Sequence, residues 1–155
     1  MVDVIPEGYA PLTAYLSVAG ASEAIAFYTE AFGATELHRS TMPNGKIAHA
    51  QVRIGSAIVM LSDENPDLGL LDPVTLGGTP VTLYLFVADA HAAFDRAIRA
   101  GARESRPVQD HFFGDRHGQV IDPFGHRWTL AQRIEDVPLA EYQQRAEEYM
   151  RKVNQ

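Results

Sequence analysis

The sequence predicts an α+β protein: two strand–helix–three-strand units in tandem, followed by an extra C-terminal helix. Three observations lead there. First, a weak internal repeat runs through the chain. Tyr15-Leu16-Ser17-Val18-Ala19 is answered by Tyr84-Leu85-Phe86-Val87-Ala88, Phe32-Gly33-Ala34 by Ala100-Gly101-Ala102, and Val52-Arg53-Ile54-Gly55 by Asp122-Pro123-Phe124-Gly125, always near 70 positions apart. That constant offset favours duplication over two unrelated strand–helix units. Second, the apolar period within each copy switches from two to about 3.6 and back. Third, 155 residues with 46% apolar and 21% charged composition suit one globular domain. The expected organisation is a single domain over 1–155. Repeat one occupies 11–62, a linker 63–79, repeat two 80–132 and a C-terminal helix 137–153.

Residues 11–18 read as a strand with Leu12, Ala14, Leu16 and Val18 on one face. Ser22 is an expected helix N-cap, and Gly33 suits the left-handed position that ends the helix. Between them Ile25, Tyr28 and Phe32 form a stripe at spacing three and four. Strands 35–41 and 46–55 flank the turn signal Pro43-Asn44-Gly45, and a last strand covers 57–62. The linker holds Pro66, Pro73 and several glycines. In repeat two Asp89 caps a helix that stops at Gly101, with Ala93, Phe94, Ala97 and Ile98 as its apolar face. Strands are expected near 102–109, 117–122 and 126–132, with Asp122-Pro123-Phe124-Gly125 as a turn. Leu139, Tyr142, Ala146, Tyr149 and Val153 make the C-terminal segment an amphipathic helix. It fits either its own sheet or a second copy.

Charge and composition exclude several function classes. Lys plus Arg is 13 against 20 Asp plus Glu, a net charge of −7, and no basic run offsets it. Phosphate-neutralising nucleic-acid binding and an anionic membrane surface are therefore not expected. Without cysteine there are no disulfides, thiolate metal sites or cysteine nucleophile. The N-terminus lacks a basic start followed by a long apolar run, and no stretch reaches the roughly 20 apolar residues of a membrane helix. A cytoplasmic protein is expected. There is no phosphate-cradling glycine loop, no HExxH and no GxSxG. The acid pairs Asp63-Glu64 and Glu147-Glu148 are sequence neighbours, so neither forms a catalytic dyad.

Strand alternation assigns faces. In strand 46–55, Ala48, Ala50, Val52 and Ile54 fall on one side, suited to packing under helices. Ile47, His49, Gln51 and Arg53 fall on the other. The matching open face elsewhere carries Thr13, Tyr15, Ser17, Ile58, Met60 and Ser62, then Thr82, Tyr84 and Phe86. It continues with His117, Gln119, Ile121, Arg127, Thr129 and Ala131. This wall of rings, amides, hydroxyls and two histidines, without a carboxylate, suits a medium-sized organic ligand with a planar aromatic part. The candidate ligand-binding residues are Tyr15, His49, Gln51, Arg53, Tyr84, Phe86, Phe113, His117 and Gln119. Arg53 or Arg127 could meet an anionic group. Solvated sheet is the rival reading for Gln51, Arg53 and Arg127, packed core the rival for Tyr15, Tyr84 and Phe86. His49 and His117 are read either as ligand or acid–base groups or as hydrogen-bonded structural residues. His38, His91, His111 and His126 are expected at the surface or in turns, and Trp128 in the core. The loop His111–Arg116 is either a cavity rim or a loop tied by Asp115 and Arg116.

Six segments together resemble the vicinal oxygen chelate superfamily, which includes glyoxalase I, extradiol dioxygenases and bleomycin-resistance proteins, and within it the PhnB-like branch. They are Ala24-Ile25-Ala26-Phe27-Tyr28, Ala31-Phe32-Gly33-Ala34, His49–Gly55, Gly77-Gly78-Thr79-Pro80, Phe113-Gly114-Asp115-Arg116 and Asp122–Trp128. The resemblance implies two βαβββ repeats whose curled mixed sheets surround a concave cavity, in a homodimer. It also implies four metal-ligand positions, which fall here on Thr13, Met60, Thr82 and Thr129. None is His, Asp or Glu, so no metal and no cofactor is expected. The expected function is small-molecule binding in the manner of bleomycin-resistance proteins, sequestering an aromatic compound or an antibiotic. The alternatives are an enzyme of lyase, isomerase or oxygenase type, metal-free or with an atypical metal, that uses His49 and His117, and an interaction module assembled through the C-terminal helix.

Overall fold

The computed structural model of the protein describes residues 1–154. Repeat one comprises β1 (Tyr15–Val18), α1 (Ala21–Phe32), β2 (Thr35–Thr41), β3 (Ile47–Ile54) and β4 (Ala57–Asp63). The connector holds a 3-10 turn at Pro66–Leu68 and the short helix α2 (Pro73–Leu76). Repeat two comprises β5 (Thr82–Phe86), α3 (Ala90–Ala100), β6 (Arg103–Asp110), β7 (Asp115–Ile121) and β8 (Arg127–Arg133). The final helix is α4 (Leu139–Val153). Each repeat builds its own four-stranded mixed sheet, ordered β1-β4-β3-β2 and β5-β8-β7-β6. The first strand runs parallel to the last in both sheets, and the remaining pairs are antiparallel. A parallel pair needs a long crossover, which α1 or α3 with the following hairpin supplies.

The register makes the duplication concrete. Tyr15 pairs with Met60 and Met60 with Gln51; Tyr84 pairs with Thr129 and Thr129 with Gln119. Tyr15 and Tyr84, Met60 and Thr129, and Asp63 and Gln132 each lie 69 positions apart. The last of these pairs does the same work twice. Asp63 Oδ1 accepts from the N–H groups of Gly20 and Ala21 at the start of α1, at 2.9 and 3.0 Å. Gln132 Oε1 accepts from Ala90 N–H at the start of α3, at 3.2 Å. Each last strand thereby satisfies the orphan donors of its own repeat's helix. This corrects the expected Ser22 cap. Gly20 occupies the N-cap position, and the Ser22 hydroxyl accepts from Arg39 instead.

Two strand expectations also change. The first strand begins at Tyr15, not residue 11, and Leu12 is exposed. In β3 the register slips where Ser40 faces His49 but Thr41 faces Ile47. The extra residue, Ala48, bulges out, and Ile47 turns into the core at 1% exposure. Comparable slips place Leu37 out of the β2 ladder and Ser105 out of the β6 ladder.

The two repeats share one core through their helix-bearing faces. It gathers Ile25, Tyr28 and Phe32 of α1, Phe94 and Ala97 of α3, Val52 and Leu61 of the first sheet, and Val120, Trp128 and Leu130 of the second. Trp128 lies there as expected, its ring 4.7 Å from that of Phe32. Three polar ties cross the junction. Arg96 Nε donates to the Ala31 carbonyl at the end of α1 at 2.8 Å. His126, which closes the Asp122–Gly125 turn, places Nε2 2.9 Å from the Ser17 carbonyl oxygen. Asp122, 3% exposed, accepts from the Tyr28 hydroxyl at 2.7 Å and from Trp128 Nε1 at 3.0 Å.

α4 does not lie on the sheet. None of its residues is buried. Tyr142 and Tyr149 rest on Phe112, with ring centroids 5.5 and 5.3 Å away, and Arg145 donates to the Phe112 carbonyl. Among the described residues no helix is long and apolar enough to cross a membrane.

Candidate ligand-binding faces

Packing through the helix sides turns the opposite face of each sheet outward. The candidate residues therefore divide by repeat. Tyr15, His49, Gln51 and Arg53 belong to the first sheet, and Tyr84, Phe86, His117 and Gln119 to the second, with Phe113 at its border. An offset of 70 positions would make Gln119 the counterpart of His49 in the second repeat. The register instead makes Gln51 the mate of Gln119 and His49 the mate of His117. Tyr15, Tyr84 and Phe86 are 43%, 46% and 63% exposed, so they are not core residues of the single chain.

On the first face a polar chain orients His49. Gln51 Nε2 lies 3.1 Å from His49 Nε2, and Tyr15 Oη lies 3.3 Å from His49 Nδ1. An amide N–H can only donate, so the neutral imidazole accepts at Nε2 and carries its proton on Nδ1, pointed at Tyr15. The N-terminal segment folds over the same face. Val4, Ile5, Pro6, Tyr9, Ala10 and Pro11 line an open hollow of about 550 Å³ with Thr13, Gln51 and Met60. The Arg53 guanidinium lies alongside Gly8. Sequence reasoning missed this wall because residues 1–10 show no period. Their signal was compositional: Val4, Ile5, Pro6 and Tyr9 before the first strand.

On the second face β7 starts two residues earlier than expected, which adds a carboxylate to a wall read as having none. Asp115, 5% exposed, accepts from the Tyr84 hydroxyl at 3.3 Å and from Arg133 Nη1 at 3.2 Å. Its partner is Arg133 and not Arg116, which pairs with Asp110 at 2.6 Å. Burial, and then the Asp115 charge, push the Tyr84 phenol up to about 12. Gln119 accepts from Ser105 Oγ at 3.1 Å and donates to Thr129 Oγ1 at 3.3 Å.

His111, at the turn before β7 in keeping with the expected surface or turn position, stacks on His117 with ring centroids 3.7 Å apart and planes within 8°. Phe113 stacks on His111 at 5.2 Å and on His117 at 5.9 Å. His117 Nδ1 is buried with no hydrogen-bond partner. Burial and, secondarily, His111 pull the basicity of His117 below its usual value, against the opposing charge of Asp115. His117 is accordingly a neutral imidazole at physiological pH, with one nitrogen free to receive a donor.

Thr13, Met60, Thr82 and Thr129, the positions that the resemblance offers for metal ligands, form a poor donor set. Thr13 Oγ1 donates to the Ala10 carbonyl, Thr129 accepts from Gln119, and Met60 offers a thioether. Neutral hydroxyls and a thioether do not suit a divalent first-row cation. His49 and His117 sit on separate sheets. Among the described residues no group of three or more His, Asp or Glu is arranged to hold a metal ion.

Comparison with known proteins adds lineage to this geometry. The family described as Glyoxalase/Bleomycin resistance protein/Dioxygenase superfamily matches residues 11–130. An uncharacterised protein of Mycobacterium bovis is 45% identical over 135 residues, covering 85% of this chain and 89% of its own length. Among solved structures, TioX from Micromonospora sp. ML1 is 26% identical at a TM-score of 0.62, over 83% of this chain and all of its own. The PhnB protein from Bacillus cereus shares the fold at 20% identity and a TM-score of 0.60, over 79% of this chain and 99% of its own.

Proposed function

This chain belongs to the Glyoxalase/Bleomycin resistance protein/Dioxygenase superfamily, and we propose on that footing that it binds a small organic molecule with a planar aromatic part, without a metal. The carrying observation is the pair of outward faces, which hold Tyr15, His49, Gln51 and Arg53 on one sheet and Tyr84, Phe86, His117 and Gln119 on the other. Half-exposed rings with oriented amides and imidazoles are what such a ligand needs. Its role is sequestration of an aromatic compound or antibiotic, and its motifs resemble those of the PhnB-like branch. Stoichiometric Zn, Ni, Mn or Fe in the purified protein would overturn the metal-free reading.

The test uses a thermal-shift and native mass-spectrometry screen of planar aromatic compounds. Against the best hit, His49→Ala should weaken binding by about 1–3 kcal/mol, the loss of one buried hydrogen-bond partner, with little change in melting temperature. A large drop in stability with unchanged affinity would remove His49 from the site. A second reading, acid–base catalysis by His49 and His117, is favoured by the unpartnered Nδ1 of His117. Turnover of the bound compound that disappears in both His49→Ala and His117→Ala would establish it.

The faces also bear on assembly. Rings as exposed as Tyr84 and Phe86 call for a cover, and a second copy has complementary faces to offer. Light scattering at micromolar concentration should show twice 17.1 kDa. A stable particle of 17.1 kDa would contradict the dimer.

A further inference from the structure

The arginines of repeat two are sorted by face. Arg103 pairs with Ile121 and Ile121 with Arg127, so both arginines stand in one cross-strand row. Arg106 stands in the next row, opposite Gln119, which in turn faces Thr129 and Tyr84. Arg127 alternates with the buried Trp128, which puts it on the outward face with these rows. Among the described residues none of the three has a carboxylate partner. The nearby acids are spoken for or turned away. Glu104 lies opposite the core residue Val120, Asp110 is held by Arg116, and Asp115 by Tyr84 and Arg133. A chain of net charge −7 thus presents unneutralised arginines on the same open sheet face as Tyr84 and Phe86, with Arg103 and Arg106 across β7 and β8 from them.

We propose that the ligand is an aromatic anion: its ring lies against Tyr84 and Phe86, and its carboxylate is gripped by Arg106 and Arg127, with Arg103 adding charge at the rim. This rests on the binding function proposed above and narrows it to a ligand class. A guanidinium fork matches a carboxylate through two parallel N–H···O bonds. The neighbouring rings supply apolar area. A guanidinium is more weakly hydrated than an ammonium, which lowers the cost of bringing it against a carboxylate.

Calorimetry with 2-naphthoate and its neutral analogue 2-naphthylmethanol tests this on the intact protein. Naphthoate should bind roughly tenfold more tightly, about one charge-assisted hydrogen bond's worth. That preference should shrink with added salt. Arg106→Gln or Arg127→Gln should abolish the preference while leaving the alcohol's affinity unchanged, which also verifies folding. Arg99→Gln, on α3, should alter neither. Equal affinity for both probes, or a preference that survives both substitutions, would overturn the anionic assignment and leave the binding function standing. Failure of both probes to bind would overturn the two together.

Discussion

Asp122→Ala is expected to destabilise the fold by about 3–5 kcal/mol, from leaving two buried side-chain donors without an acceptor at about 1–3 kcal/mol each. The carboxylate is 3% exposed and accepts four hydrogen bonds. Two come from the side chains of Tyr28 and Trp128 and two, both at 2.9 Å, from the backbone N–H groups of Phe124 and His126. Burial, then the Asp122 charge, hold the Tyr28 phenol well above its ordinary pKa, so it stays a donor throughout the physiological range. Alanine would leave the two side-chain donors buried without an acceptor and loosen the turn that positions β8. Because Tyr28 belongs to repeat one and Asp122 to repeat two, the damage also falls on the junction. For a chain of this size the shift corresponds to a fall in melting temperature of roughly 10 °C. Tyr28→Phe, which removes a single donor, should cost about 1 kcal/mol. A denaturant midpoint for Asp122→Ala within the error of that for Tyr28→Phe would show that the network does not hold the repeats together.

Gly114→Ala is the second large effect, at about 3 kcal/mol from left-handed strain plus steric overlap. Gly114 has φ of 91°, and an added Cβ would run into the Glu135 carbonyl oxygen. The approach is close because the Gly114 carbonyl accepts from both Ile134 and Glu135 N–H, at 2.9 and 3.1 Å. The cost should be local as well as global. α4 holds to the protein through Phe112 and through Arg145, which also pairs with Glu135 at 2.6 Å. Limited proteolysis should therefore cut α4 faster in the variant. Gly45→Ala is the control, since φ is 83° there but an added Cβ meets nothing. Equal losses at the two positions would leave strain alone as the cause and refute the close approach.

The fold was legible wherever periodicity and turn chemistry agreed. The stripe Ile25, Tyr28, Phe32, the Gly33 and Gly101 helix ends and the Asp122–Gly125 turn each report a local preference that tertiary packing left intact. What escaped was non-local. Asp63 caps α1 from 42 residues away, and no scan of the residues before a helix finds such a cap. The bulge at Ala48 reverses the alternation of β3 near its start, which a strict period of two cannot anticipate. The candidate site was legible by composition and only partly by arrangement. The polar residues of β3, β5 and β7 were assigned to the correct faces, yet the mate of His49 was misplaced by one step of two residues. The His111–His117 stack and the N-terminal wall over Gln51 depend on loops that carry no period. Asp115 was overlooked because the strand was begun too late.

The slips in β2 and β6 have a bearing on solubility. These are the outer strands of their sheets, and an outer strand offers unpaired backbone groups on which another chain can template. Leu37 and Ser105 break the straight line of donors and acceptors, Pro107 removes one N–H altogether, and Glu36, Arg39, Arg103 and Arg106 place charge along the rims. Edge-to-edge polymerisation is thereby discouraged at these two of the four sheet edges. If the dimer proposed above forms through the broad sheet faces, these two edges favour a closed pair over a sheet that grows into fibres.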